Sequence, residues 1–147
     1  MTDAHEMPRT AWTEDELGRI GDAEVLQLAS ARRDGGLRAY VTMWVVRAGD
    51  ELYVRSAHGP NNPWYRRAKA SGTGRIRAGG VEGDVMFAEA AADTHTSIDG
   101  AYHAKYDRYG PQTVGSVTGR EAEAVTVRLV PRAEQPGSKD RKESSRV

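Results

Sequence analysis

From Leu37 to Arg47 the chain reads Leu-Arg-Ala-Tyr-Val-Thr-Met-Trp-Val-Val-Arg. Alternate residues of an extended strand share a face, so Val41, Met43 and Val45 fall on one side and Thr42, Trp44 and Val46 on the other. Both sides are largely apolar, whereas a strand wetted on one face alternates apolar with polar. The segment is therefore expected to be a central strand, covered on both faces. Its neighbours have the same character. Val25 to Arg32 reads as a strand ending at the turn Asp34-Gly35-Gly36, and Glu51 to Ser56 as a third strand after the turn Ala48-Gly49-Asp50. Thr73 to Ala78 and Val81 to Ala90 flank Gly79-Gly80, and Ala122 to Val130 alternates as a final strand. Short connections with glycine at the tip make hairpins. The sum is an α+β fold with a six-stranded, mostly antiparallel sheet. About three inserted helices cannot cover the open edges of such a sheet, and closure into a small barrel removes them. An open sheet with helices on one face is the alternative.

The three helices carry start signals. Thr13 and Glu16 form a capping box, with Trp12 and Leu17 placed for a hydrophobic staple. Asn62-Pro63 sets an N-cap with proline at the first helical position. Thr96-Ser97-Ile98-Asp99 is a further capping sequence, and the helix it opens carries Ile98, Tyr102, Tyr106 and Tyr109 before the stop at Gly110-Pro111. Residues 1–11 read as a mobile arm, 12–131 as the folded domain, and 132–147 as a disordered charged tail.

The absence of cysteine excludes disulfides, thiolate metal sites and cysteine nucleophiles. No signal peptide or membrane-length apolar run is visible, and a cytoplasmic location is expected. Net charge is zero, but Arg55 to Arg77 holds six Arg/Lys and no acid, while Glu82 to Asp99 holds five acids and no Arg/Lys. A local basic segment in a neutral chain suits a small anionic ligand rather than nucleic acid. No membrane partner is expected. The four histidines show no metal-ligand spacing, so no metal is expected.

The basic segment opens with Arg55-Ser56-Ala57-His58-Gly59, which leads through Asn62-Pro63 into Trp64-Tyr65-Arg66. A helix N-terminus offers free N–H groups and the positive end of its dipole. Arg55, and Arg66 beside it, can fork onto phosphate oxygens, and Ser56 adds a hydroxyl. Trp64 and Tyr65 can lie against a planar ring. The same residues also suit a plain strand–loop–helix joint in which Trp64 fills the core. Leu52 to Ile76 resembles the corresponding stretch of the deazaflavin-dependent nitroreductases, where a Ser-x-x-Gly loop leads into a Pro-x-Trp-Tyr helix. Residues 12–131 resemble still more closely an uncharacterised bacterial family of the FMN-binding split β-barrel group. Its marks are Arg33-Asp34-Gly35, Trp44-Val45-Val46-Arg47, Tyr53-Val54-Arg55-Ser56, Trp64-Tyr65, Gly74-Arg75-Ile76, Asp84-Val85 and Ala101-Tyr102-His103-Ala104-Lys105-Tyr106.

The resemblance implies a split barrel, a homodimer, and a site for FMN or the deazaflavin coenzyme. It places Arg55, Ser56, Ala57, His58 and Gly59 at the cofactor phosphate, with Trp64 and Tyr65 walling the site. The chain has Arg33-Asp34-Gly35-Gly36 where the nitroreductases have Lys-Ser-Gly, and it adds the tyrosine-rich helix. Tyr102, Lys105 and Tyr106 share a region of that helix and are candidate proton-transfer groups; packing is their other role. Three functions are thus open. One is an oxidoreductase acting on a small molecule, with hydride chemistry carried by the cofactor. The second is a cofactor-free barrel for a small anionic or aromatic ligand, and the third an interaction protein using its tail.

Overall fold

The computed structural model describes residues 11–57 and 59–132. The expected arm and tail lie largely outside them. Thr13 caps α1 (Glu14–Asp22) with the reciprocal bonds of a capping box, Glu16 N to Thr13 Oγ1 at 3.1 Å and Thr13 N to Glu16 Oε1 at 2.9 Å. Trp12 and Leu17 are buried in one cluster, as the staple requires. The chain continues through β1 (Leu26–Ser30), β2 (Val41–Met43), β3 (Val46–Ala48) and β4 (Glu51–Arg55). After them come α2 (Pro63–Ser71), β5 (Thr73–Ala78), β6 (Val81–Ala88), α3 (His95–Tyr106), α4 (Pro111–Gly115), α5 (Arg120–Glu123) and β7 (Thr126–Pro131).

All seven strands form one antiparallel sheet in the order β2-β1-β5-β6-β7-β4-β3. The expected count of six strands is corrected at Leu37–Arg47, which is not one central strand. It breaks at Trp44-Val45, and its two halves, β2 and β3, are the opposite edges of the sheet. That break forces the curl. Seven strands laid flat would separate their edges by ~29 Å, but the three Cα steps from Met43 to Val46 reach at most about 11 Å. The sheet is therefore rolled until its edges nearly meet, a half-barrel closed by the chain itself.

Five α-helices are present among the described residues, not three. Ala122, expected to start the last strand, belongs to α5. The Thr96-Ser97-Ile98-Asp99 sequence is not a cap, because α3 already begins at His95 with Thr94 as N-cap. Asn62 does precede α2, but its side chain makes no capping bond.

Two clusters result. Leu26, Leu28, Val45, Leu52, Val54, Ile76, Val85, Val127 and Leu129 fill the barrel, closed by Leu17 and Ile20 of α1 and by Trp64, Tyr65 and Ala68 of α2. Ile98, Tyr102 and Tyr106 of α3, with Val114 of α4, cover Val46 and Tyr53 on the other face of β3 and β4. The Leu37–Arg47 segment is thus apolar on both faces because one edge strand it supplies is sandwiched between these clusters.

The β5–β6 turn has positive φ at both Gly79 (58°) and Gly80 (84°). A Cβ at Gly79 would lie 2.2 Å from the backbone oxygen of Arg19, whereas one at Gly80 meets only the Arg19 Nη1 tip at 3.8 Å. Gly80→Ala should cost about 1 kcal/mol of backbone strain alone, and Gly79→Ala ~3 kcal/mol or more because helix α1 must also move. Urea unfolding of the two variants checks the ordering; equal losses would contradict it.

Candidate functional site

The loop leaving β4 is anchored before it can reach a ligand. Ser56 is fully buried; its N–H donates to Val125 O at 3.1 Å and its Oγ to Gly59 O at 2.6 Å. The Arg55 side chain has no exposed surface. Its Nε donates to Thr126 Oγ1 at 2.8 Å, Nη1 to Val117 O at 2.9 Å and to Asp99, and Nη2 lies 3.2 Å from His95 Nδ1. A buried cation requires such partners, and here they tie β4 to α3, β7 and the loop after α4. The guanidinium expected at a phosphate thus serves the chain's own groups. The basic and acidic segments pair more widely: Arg75 Nη1 meets Asp84 at 2.7 Å and Arg75 Nε meets Glu82 at 3.4 Å. Arg66 is exposed on α2. His58 lies outside the described residues.

Two cavities flank this loop and share Ser116. One, of about 350 Å³, is walled by Val41, Met43, Trp44 and Trp64, with Ala57, Asn62, Thr113 and the edge of Arg55 around it. The other, of about 710 Å³, is lined by Ser56, Gly59, Pro60, Gly115, Thr118 and Glu121 among others. Together they make a trough with an aromatic end and a polar end. The expected residues Arg55, Ser56, Ala57, Gly59 and Trp64 all border it. Tyr65 does not: it turns to the other side of α2, donates to Ala124 O at 3.1 Å, and lines a third cavity of about 600 Å³.

A flat ring fits the aromatic end, whose indoles and Met43 supply apolar faces at a volume typical of small-molecule sites. The polar end is less suited to a phosphate. Ser56, Ser116 and Thr118 each already donate to a backbone carbonyl, Glu121 is acidic, and Arg55 is the one cation among the lining residues.

The tyrosine-rich helix has a different task. Tyr106 Oη accepts from Val45 N at 3.2 Å and donates to Glu24 O at 2.8 Å, with Val45 O also 3.1 Å away, and Lys105 Nζ donates to Val45 O at 2.8 Å. These side chains satisfy the backbone polar groups of the residue where β2 and β3 part. Trp44 stacks on Tyr106 with centroids 4.0 Å apart and planes 5° off parallel. Tyr102 is fully buried beneath Arg55, and its hydroxyl is the buried side-chain polar atom without a well-formed hydrogen bond among the described residues. Burial pushes the Tyr102 phenol far up and the Tyr106 phenol up to about 12. Burial also lowers the Lys105 ammonium to about 8, against the opposing pull of Glu24 and Asp22. Tyr102, Lys105 and Tyr106 line none of the three cavities.

The residues that sequence reasoning passed over are Trp44 as a groove wall, Ser116 where the cavities meet, and His95 beside Arg55. Trp44 and Ser116 are far from the β4–α2 loop in sequence. The pairing of Arg55 with the acidic segment was foreshadowed by the complementary charge runs.

Two outcomes follow from these bonds. Tyr106→Phe strands the Val45 N–H and should cost ~1–3 kcal/mol, whereas Tyr102→Phe removes a hydroxyl that lacks a well-formed hydrogen bond and should be neutral or slightly stabilising; thermal unfolding compares them. Because Lys105 titrates lower in the folded chain than its usual 10.5, the unfolded chain binds more protons between about pH 8 and 10.5, so this residue makes stability rise through that window. The rise should be on the order of 1 kcal/mol once solvent screening at this half-buried position is allowed for. It should vanish in Lys105→Met when both are unfolded in urea at pH 7.5 and 10.

Sixteen solved chains match, and three illustrate the shared fold. A Listeria innocua protein named as a candidate pyridoxamine 5′-phosphate oxidase is 14% identical with a TM-score of 0.55, the match covering 82% of this chain and 93% of that one. A FAD-binding protein from Mesorhizobium loti is 18% identical at a TM-score of 0.50, covering 88% and 94%. HutZ, the haem storage protein of Vibrio cholerae, is 12% identical at 0.50, covering 83% and 90%. At these identities the likeness establishes the split-barrel fold. No curated protein matches the sequence. The profile of a family described as "Uncharacterized protein conserved in bacteria (DUF2255)" matches residues 16–129.

Proposed function

The chain belongs to the uncharacterised bacterial family DUF2255, and we propose that within it this protein binds a flavin- or deazaflavin-class cofactor and acts as an oxidoreductase on a small molecule. The observation that carries the reading is the groove between Trp44 and Trp64, opening beside the β4–α2 loop. Val41, Met43 and the two indoles would hold the ring system. Ala57 and Asn62 border it, and the Asn62 amide, which makes no capping bond, is one of the polar side chains there, with Thr42, Thr113 and Ser116. The FAD-binding neighbour lends support at the level of fold. When bound, such a cofactor supplies hydride transfer, and the protein's part is to seat the ring and keep water from it. A homodimer fits this reading; one of the neighbours is described as a domain-swapped dimer.

A second reading has its own support. Arg55 is neutralised by Asp99 inside the fold, and Glu121 lies at the polar end of the trough. Both features favour an aromatic ligand without a phosphate over a nucleotide.

Titration of the purified protein with FMN, riboflavin and the deazaflavin coenzyme separates the two, read by tryptophan quenching and ligand fluorescence. Saturable binding of FMN or the deazaflavin coenzyme is expected. Ser116→Phe, which fills the junction of the two cavities, should weaken it about tenfold or more while circular dichroism stays unchanged. Riboflavin binding as tightly as FMN would show that the phosphate is not held. No saturation with any of the three would overturn the cofactor reading.

A further inference from the structure

On the far side of α2 from the trough lies the cavity of about 600 Å³ that Tyr65 faces. It shares Ala124 with the polar end of the trough and is bordered by His95 and Thr126 of the Arg55 cluster. Its wall toward the trough is the hydrogen bond from Tyr65 Oη to Ala124 O. Phe87, Val127 and the Tyr65 ring form an apolar floor. Lys69, Glu89 and Glu123 stand around the mouth, and one ammonium against two carboxylates leaves a net charge of −1. A site so charged disfavours anions and attracts a cation, and Lys69 Nζ itself lies 5.7 Å from the centroid of the Tyr65 ring.

The chemistry becomes more specific at His95. Arg55 Nη2 can only donate, so the His95 Nδ1 atom 3.2 Å from it accepts, and the ring proton stands on Nε2. Asp99, Thr126 and Val117 hold the Arg55 guanidinium in place, so the orientation of the imidazole is fixed from behind. With Nδ1 turned inward, Nε2–H is on the opposite side of a half-buried ring that lines the cavity. Among the described residues no partner takes that proton. The buried cluster under β4 thus orients one hydrogen-bond donor at the wall of a pocket that has an apolar floor and an anionic mouth.

We propose that this cavity is a second ligand site, taking a small organic ammonium with an apolar body and a hydrogen-bond-accepting oxygen. The carboxylates of Glu89 and Glu123 receive the ammonium, the Tyr65–Phe87 floor receives the apolar body, and His95 Nε2–H donates to the oxygen. The inference is independent of whether the trough holds a cofactor.

Three probes share a phenyl body and differ in the groups that matter. Phenylalaninamide carries the ammonium and a carbonyl oxygen, phenethylamine carries the ammonium alone, and 3-phenylpropanoate is an anion. Isothermal titration of the full chain should show saturable phenylalaninamide binding, about tenfold tighter than 3-phenylpropanoate. The double variant Glu89→Gln, Glu123→Gln should erase that preference. Both carboxylates are on exposed residues, so the fold is expected to survive. His95→Phe should weaken phenylalaninamide about fivefold and leave phenethylamine unchanged; an equal loss for both amines would mean that His95 only supports the fold. Ser116→Phe, which blocks the trough, should leave amine binding intact. The proposal is overturned if phenylalaninamide does not saturate, if the anion binds as well as the amine, or if the double variant keeps the preference.

Discussion

The structure depends on closing a rolled sheet with only two residues. Trp44 and Val45 carry the chain from one edge of the sheet to the other, and at such a crossing the backbone leaves the ladder, so that Val45 would bury an N–H and a C=O without strand partners. Unpaired, each would cost about as much as the net gain of one or two good hydrogen bonds. The Tyr106 hydroxyl and the Lys105 ammonium answer both groups. The helix that brings them, α3, thereby acquires its place across β3, and its apolar side completes the second cluster over Val46 and Tyr53. The features that made Tyr106 and Lys105 look like proton-transfer groups, their partial burial and shifted affinity for protons, have a structural origin. Groups brought into a low-dielectric setting to satisfy a backbone are perturbed just as catalytic ones are.

A second consequence of the seam lies at the groove. Stacking on Tyr106 holds the Trp44 indole at the edge of the barrel, where it faces Trp64 of α2 across the groove. The groove wall is thus set by the same contacts that close the barrel, and its width is not left to a mobile loop. Arg55 plays the equivalent part below. Its bonds reach β7, α3 and the loop after α4 at once, and its surroundings separate the trough from the cavity under Tyr65. A buried charge network of this kind contributes little net stability compared with apolar packing, but it penalises arrangements that leave any member unpaired.

Local signals were the legible part of the fold. The capping box of α1, the glycine hairpin after Ala78, the limits of β5 and the start of α2 at Pro63 all rest on residues within a few positions of one another, and each is found as read. What the sequence did not disclose depends on distant partners. Nothing between Leu37 and Arg47 marks a break, since Trp44-Val45 is as good a strand former as its neighbours; the break exists because the sheet must close and Tyr106, some sixty residues on, can cap it. The run was rightly read as apolar on both faces, but two-sided covering arises at a barrel edge under a helix as well as at the centre of a sheet. The short α4 and α5 have too few residues for any periodicity to register.

The site divides in the same way. That Trp64 and the loop before it would border a cavity could be argued from an aromatic next to a helix start, and they do. Whether Arg55 faces outward could not, because an arginine at a strand end is compatible with a bound phosphate or with an internal carboxylate. The choice lies with Asp99, and so with how α3 is docked. The acidic run from Glu82 to Asp99 held that information in its composition: five carboxylates without a local cation must find partners elsewhere or remain in water. Arg75 and Arg55 are two of the partners found. A basic segment followed at short distance by an acidic one is therefore weaker support for an anion site than the basic segment alone, since antiparallel pairing brings the two together. The ligand preference of this protein is better sought in what the paired charges leave uncovered, which is an aromatic groove on one side of α2 and an oriented imidazole on the other.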